Sequence, residues 1–270
     1  MSEHSVPMRL QPGQSPDPIG RVWLVGAGPG AADLITVRGA RLLAEADVVL
    51  HDALVTDDML ALCPQAIKIG VGKRCGKPSS TQDAINAQII DSARHYARVV
   101  RLKGGDPMLF GRADEELRAL EAAGIHVEIV PGVTTALAAA AATKQPLTVR
   151  GVSRSVAFFT SSTDPAAPNA TAIPIADTLV QYMGGREAVN TAKALLAASW
   201  APETPVVVVE NCSREDEKIL RMWLVDLQRG LCGASGPVLV MIGAALKHRT
   251  FPMLPQYSLL LVPTDLYKSS

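Results

Sequence analysis

From Arg21 to about residue 130, short apolar runs alternate with stretches whose apolar residues recur at helical spacing. Arg21-Val-Trp-Leu-Val25 ends at glycines and predicts a buried strand. Asp33 to Ala46 predicts a helix, Asp47 to Leu50 a second strand, Asp57 to Cys63 a helix, and Ala66 to Gly70 a third strand. Thr81 to Tyr96 predicts a helix with Thr81 as its N-cap. A fourth strand over Arg98 to Leu102, a helix over Ala113 to Ala123 and a fifth strand over His126 to Val130 complete this part. Strands alternating with helices at this spacing imply a mostly parallel sheet covered on both faces.

Past Pro131-Gly132 the pattern changes. An alanine-rich helix over Thr134 to Thr143 is followed by a strand over Val156 to Thr160 and a Pro/Ala-rich loop over Asp164 to Pro174. Strands over Asp177 to Met183, Val206 to Val209, Pro237 to Ile242 and Ser258 to Val262 are expected, with helices over Glu187 to Ala198 and Lys218 to Gln228. More strands per helix predict a mixed sheet. The expected organisation is a mobile tail over 1–20, an N-terminal α/β domain over 21–132 and a C-terminal α/β domain over 133–265.

Composition narrows the function classes. The 270 residues are 48% hydrophobic and 19% charged, as in ordinary soluble globular proteins. Aromatics make up 4%, too few for a base-stacking platform. Lys plus Arg and Asp plus Glu are both 26, so the basic excess of a nucleic-acid binder is missing. A local cationic cleft can still hold an anionic small molecule. Cys63, Cys75, Cys212 and Cys232 show neither paired nor metal-ligand spacing and read as reduced thiols of a cytoplasmic protein, without zinc. No window reads as a signal peptide or a membrane span.

The densest chemistry lies in Arg101-Leu-Lys-Gly-Gly-Asp-Pro-Met-Leu-Phe-Gly-Arg112, between the fourth strand and the next helix. Gly104 and Gly105 present bare backbone to a ligand, Asp106 adds a carboxylate, and Arg112 adds a fixed cation. Gly26-Ala-Gly-Pro-Gly30 follows the first strand and fits a dinucleotide fingerprint if Ala31 completes it, with Asp47 or Asp52 about 20 residues on. Pro29, however, lacks the N–H that a phosphate loop wants. Asp52 ends the second strand, where ligands bind in open α/β sheets, and can act as a base or cap the next segment. Val71-Gly-Lys-Arg-Cys-Gly-Lys77 is either an anion clamp, to which Arg101, Lys103, Arg150 and Arg154 can add, or a solvated basic loop. Thr134 or Thr135 can cap a helix or bond a ligand. Met183, beside two glycines, is core or ligand wall, and Glu210-Asn-Cys-Ser213 reads equally as a plain turn. The five histidines show no metal spacing.

Together these segments resemble a known family. Gly26-Ala-Gly-Pro-Gly30, Asp52-Ala-Leu-Val55, Val71-Gly-Lys-Arg74, Lys103-Gly-Gly-Asp-Pro107, Gly111-Arg112 with Glu115-Glu116, Pro131-Gly-Val-Thr134, Pro146-Leu-Thr148 with Arg150, Tyr182-Met183 and Val209-Glu-Asn211 occur in the order found in tetrapyrrole methylases, within them the uroporphyrinogen-III C-methyltransferases. The resemblance runs from about Arg21 to Val262. It implies a homodimer of two-domain chains, with S-adenosylmethionine folded in the cleft between the domains and S-adenosylhomocysteine as by-product. It also implies two methyl transfers to uroporphyrinogen III, giving precorrin-2 for sirohaem, cobalamin or haem d1, with no metal. By position, the resemblance assigns cofactor contacts to Pro29, Gly104, Gly105, Asp106, Leu109, Thr134, Thr135, Met183, Cys212, Gly243 and Ala244. Asp52 corresponds to the proton acceptor and Lys73 to the donor, with Arg112 as the third catalytic candidate, while Arg112, Glu115, Arg150 and Met183 correspond to substrate contacts. The chain departs from the family pattern at Ala53, Pro78 and Val149. A methylase of a later precorrin, a nicotinamide dehydrogenase and a binding protein without turnover are the competing readings.

Overall fold

A computed structural model describes residues 20–72, 81–161 and 172–247. The chain divides into two compact units, Met1–Thr135 and Ala136–Ser270.

The first unit is built on five parallel strands: β1 Arg21–Gly26, β2 Val48–His51, β3 Ile67–Gly70, β4 Arg98–Lys103 and β5 Val127–Val130. Their order across the sheet is β3-β2-β4-β1-β5. Four helices connect them: α1 Val37–Glu45, α2 Asp57–Leu60, α3 Gln82–His95 and α4 Ala113–Ala122. Strand alternation sorts the side chains between two faces. Val22, Leu24, Val48, Leu50 and Val99 pack with Ile89, Ala93 and Leu120. Val25, Val49, Val100 and Leu102 pack with Leu43, Met59 and Cys63. Both faces are therefore buried, as a parallel sheet requires.

Local caps set the helix starts. The Thr81 hydroxyl accepts from the Ala84 N–H at 3.2 Å, as the sequence indicates. The expected helix over Asp33 to Ala46 starts later, because Thr36 caps it by accepting from the Gly39 N–H at 3.1 Å. A short 3-10 turn at Ala32–Leu34 precedes it.

The second unit opens with α5 Thr135–Thr143, whose first residue closes the first unit. Its strands are β6 Val156–Thr160, β7 Thr178–Tyr182, β8 Pro205–Glu210, β9 Lys218–Trp223 and β10 Val238–Gly243. The order is β6-β7-β10-β8-β9, with β6 parallel to β7 and the other pairs antiparallel. This is a mixed sheet. Helices α6 Gly184–Ala197 and α7 Leu224–Leu227 cover one face, where Ala188, Ala192, Leu195, Leu224 and Leu227 meet Leu179, Val206, Val208, Val240 and Ile242.

One expected helix is a strand. Lys218 to Gln228 reads as helical, but Lys218–Trp223 pairs antiparallel with all of β8, and only Leu224–Leu227 is helical. Asn211 and Ser213 turn the chain in left-handed conformations, and the resulting hairpin overrides local helix preference. The strand expected over Ser258 to Val262 and most of the Pro/Ala-rich loop lie outside the described residues.

Candidate functional site

In the first unit, the segments leaving the carboxyl ends of the strands interlock. Gly28 and Gly105 exchange backbone hydrogen bonds of 3.2 and 2.7 Å, joining the turn after β1 to the turn after β4. The Thr56 hydroxyl donates to the Gly30 carbonyl at 3.1 Å and brings in the segment after β2. Asp106 completes the knot: its Oδ2 accepts from the Gly132 N–H at 2.9 Å, and its Oδ1 accepts from the Met108 N–H at 2.8 Å. The approach is close enough to exclude side chains. A Cβ on Gly26 would stand 2.6 Å from the Gly132 backbone and 2.7 Å from the Gly105 carbonyl oxygen.

These bonds bring Pro29, Gly104, Gly105 and Asp106 to one end of the sheet, with Leu109 in the same loop and Thr134 and Thr135 following Gly132. Gly105 lies at φ 69, and a Cβ there would meet nothing within 4 Å, so its outer side is open backbone. A flat ligand can approach main chain here without meeting a side chain. Asp106 plays a structural part: its two oxygens are engaged by amides and shape the loop.

Asp52 follows β2 and accepts from the Arg101 guanidinium at 2.5 Å, with 29% of its side chain exposed. The sequence suggested that Arg101 and Lys103 could join an anion clamp; the structure corrects this. They are 2% and 3% exposed and committed to Glu116, at 3.0 and 2.9 Å. Burial, reinforced by the Arg101 charge, holds the Lys103 ammonium below its ordinary range, against the pull of Glu116 and Asp52. The signal was present in the sequence: Arg101 and Lys103 are two apart on a strand and so share a face, and Glu116 lies in the first turn of the following helix.

Arg112 precedes α4 in a left-handed conformation at φ 55. Its guanidinium donates two bonds of 2.7 Å to Glu115, and both side chains are about half exposed. Lys73 lies outside the described residues.

In the second unit, Met183 caps α6 in the same left-handed conformation, φ 55, and is 51% exposed. The helix starts at Gly184, three residues earlier than expected and hard against β10, where a Cβ on Gly184 would stand 2.8 Å from Val240. Cys212 follows β8 and is 4% exposed; burial, and after it the Glu217 charge, push its thiol up to about 12.

Met183 and Cys212 share a rim of the mixed sheet, because both follow strands antiparallel to β10. Gly243 and Ala244 do not join them. They end β10, whose Gly243 pairs with Thr178 at the far end of β7. On the Met183 rim stands Pro237, just before β10, whose carbonyl accepts from the Asn211 N–H at 3.0 Å. Arg150 is exposed on a tight turn closed by Val149 and Ser153, rooted where the Ser153 hydroxyl sits 2.9 Å from that of Thr178.

Among the described residues no His, Cys, Asp and Glu group is arranged to hold a metal, and no helix is long and apolar enough to cross a membrane.

Residues 21–228 match the family described as Tetrapyrrole (Corrin/Porphyrin) Methylases. The chain is 42% identical to a uroporphyrinogen-III C-methyltransferase of Pseudomonas aeruginosa, over 83% of this chain and 93% of that protein. It is 40% identical to a siroheme synthase of Psychrobacter over 78% of this chain, but spans only 44% of that protein's length. A Thermus thermophilus uroporphyrin-III C-methyltransferase structure, complexed with S-adenosylhomocysteine, matches at TM-score 0.74 and 39% identity, covering 84% of this chain and 99% of that one. A cobalt precorrin-4 methyltransferase structure matches at TM-score 0.73 and 31% identity, covering 84% and 96%. With most of its length matched in both sequence and fold, the chain belongs to the tetrapyrrole methylase family.

Proposed function

We propose that this chain is an S-adenosylmethionine-dependent methyltransferase acting on uroporphyrinogen III, with two transfers giving precorrin-2. The observation that carries this reading is the 42% identity to a uroporphyrinogen-III C-methyltransferase across 93% of that relative's length. Likeness to the cobalt precorrin-4 enzyme is weaker in sequence, at 31% identity, which places a later precorrin second.

The residues present fit the donor. The open side of Gly105 offers a cradle that a Cβ would fill, with Pro29, Gly104, Asp106, Leu109, Thr134 and Thr135 as its neighbours in the first unit. Met183, Cys212, Gly243 and Ala244 are the further donor contacts that the family resemblance implies. When bound, S-adenosylmethionine supplies a methyl group on a positive sulfur that leaves as a neutral thioether.

The protein's task is then alignment and charge control. Arg112 and Arg150 present forked donors suited to the ring's carboxylates, and Glu115 orients Arg112. Asp52, half in and half out of the core, accepts the proton that the methylated ring gives up, and Lys73 is the matching donor. The assembly is a cytoplasmic homodimer, as the family resemblance implies.

The test is transfer of labelled methyl from S-adenosylmethionine to freshly prepared uroporphyrinogen III, read by product mass. Two added methyl groups are expected. No transfer, with S-adenosylhomocysteine still bound, would move the substrate to another precorrin.

A further inference from the structure

The network around Arg101 is more than packing requires. Two cations and a carboxylate are withdrawn almost wholly from water, with Arg101, Lys103 and Glu116 at 2%, 3% and 0% exposure. Buried ion pairs often add no more stability than apolar side chains of the same volume. Stability therefore does not account for this arrangement.

What the network provides is fixed geometry. The Arg101 guanidinium donates to Glu116 at 3.0 Å, to Asp52 at 2.5 Å and to the Leu102 carbonyl at 3.2 Å. A planar fork held at three points cannot turn. Glu116 is itself held from its other oxygen by Lys103 at 2.9 Å. The Lys103 chain passes beneath the loop carrying the glycines, since a Cβ on Gly111 would stand 3.1 Å from its Cε. Asp52 is thus the one carboxylate of the four charged groups that reaches solvent, and its Oδ1 is clamped from inside.

We propose that Arg101 is a positioning residue: braced by Glu116 and through it by Lys103, it sets the orientation in which Asp52 meets the methylated ring. The inference rests on the proposed role of Asp52 as proton acceptor.

The test uses the full chain as wild type, Arg101→Lys, Asp52→Asn and the double variant. Lysine keeps a positive charge for Glu116 but lacks the fork that serves both carboxylates. Turnover and KM are measured with uroporphyrinogen III, S-adenosylhomocysteine affinity by calorimetry, and folding by thermal melting. Arg101→Lys is expected to lower kcat about 10- to 100-fold with KM and S-adenosylhomocysteine affinity little changed. In the Asp52→Asn background the same change is expected to alter kcat less than about threefold, because its effect passes through Asp52.

A folded Arg101→Lys variant with near-wild-type kcat overturns the inference. So does an equal loss in the Asp52→Asn background, or full activity of Asp52→Asn itself. If Arg101→Lys does not fold, Glu116→Gln replaces it: it weakens the brace at constant shape and is expected to lower kcat only when Asp52 is present, and an unchanged kcat overturns the inference. A wild-type enzyme inactive on uroporphyrinogen III overturns the proposed function together with this inference, whereas an active wild type with an active variant overturns this inference alone.

Discussion

Cys212 lies in the turn after β8, and burial with the nearby Glu217 pushes its thiol up to about 12. Cys63, in the first unit, is also pushed up by burial, only partly offset by Lys68. Both stay protonated at neutral pH and are poor nucleophiles. On the proposed function this matters for Cys212, because a thiolate beside a methyl donor would itself be methylated. In the folded protein at about pH 8, an alkylating reagent is expected to label the exposed Cys232 and spare Cys63 and Cys212. Mass spectrometry of the labelled peptides checks this, and equal labelling at Cys212 would contradict its packing. At this scale the sequence was informative about residue type, and about commitment only through strand alternation. It marked Arg101, Lys103 and Arg112 alike as cations near a glycine loop, but only strand alternation and the Glu116 partner separate the buried pair from the exposed Arg112.

Among the elements, the interlocked turns of the first unit depend on Gly26, Gly105 and Gly132 approaching through bare backbone. A Cβ on Gly132 would fall on the Gly105 carbonyl and 2.8 Å from the Gly26 Cα. Gly132→Ala is therefore expected to cost about 1–3 kcal/mol, seen as a lower denaturant midpoint, and to weaken S-adenosylhomocysteine binding. Unchanged values for both in denaturation and calorimetry would mean that the turns have room. The elements of the first unit were readable from the sequence because each signal was local: apolar runs ended at glycines, and Thr81 stood ahead of its helix. The second unit was less readable where partners decide. Lys218–Trp223 becomes a strand through its pairing with β8, and Val240 leaves no room for a Cβ at Gly184, where α6 begins.

Across the whole molecule, two carboxylates of the second unit link its stability to pH. The Gly236 N–H, with that of Ser235 and the Lys218 charge, holds Glu210 below its ordinary 4.5. The Arg154 N–H, with Ser155, holds Asp177 below 3.8. The unfolded chain takes up these protons first as pH falls, so the stabilisation is complete above the unfolded values and is lost below them. Stability is expected to fall between about pH 5 and about pH 3, and Glu210→Gln is expected to flatten part of that fall. Chemical denaturation at stepped pH checks it, and an identical slope in the variant would rule Glu210 out. The knot of Gly28, Gly105 and Asp106 has a different consequence, one for evolutionary drift. Its donors and acceptors are mostly main chain, so substitutions at the exposed side chains nearby leave its pattern untouched. On the proposed function, a lineage can therefore exchange one macrocycle for another by changing outward residues such as Arg112 or Arg150 while this backbone pattern is inherited intact.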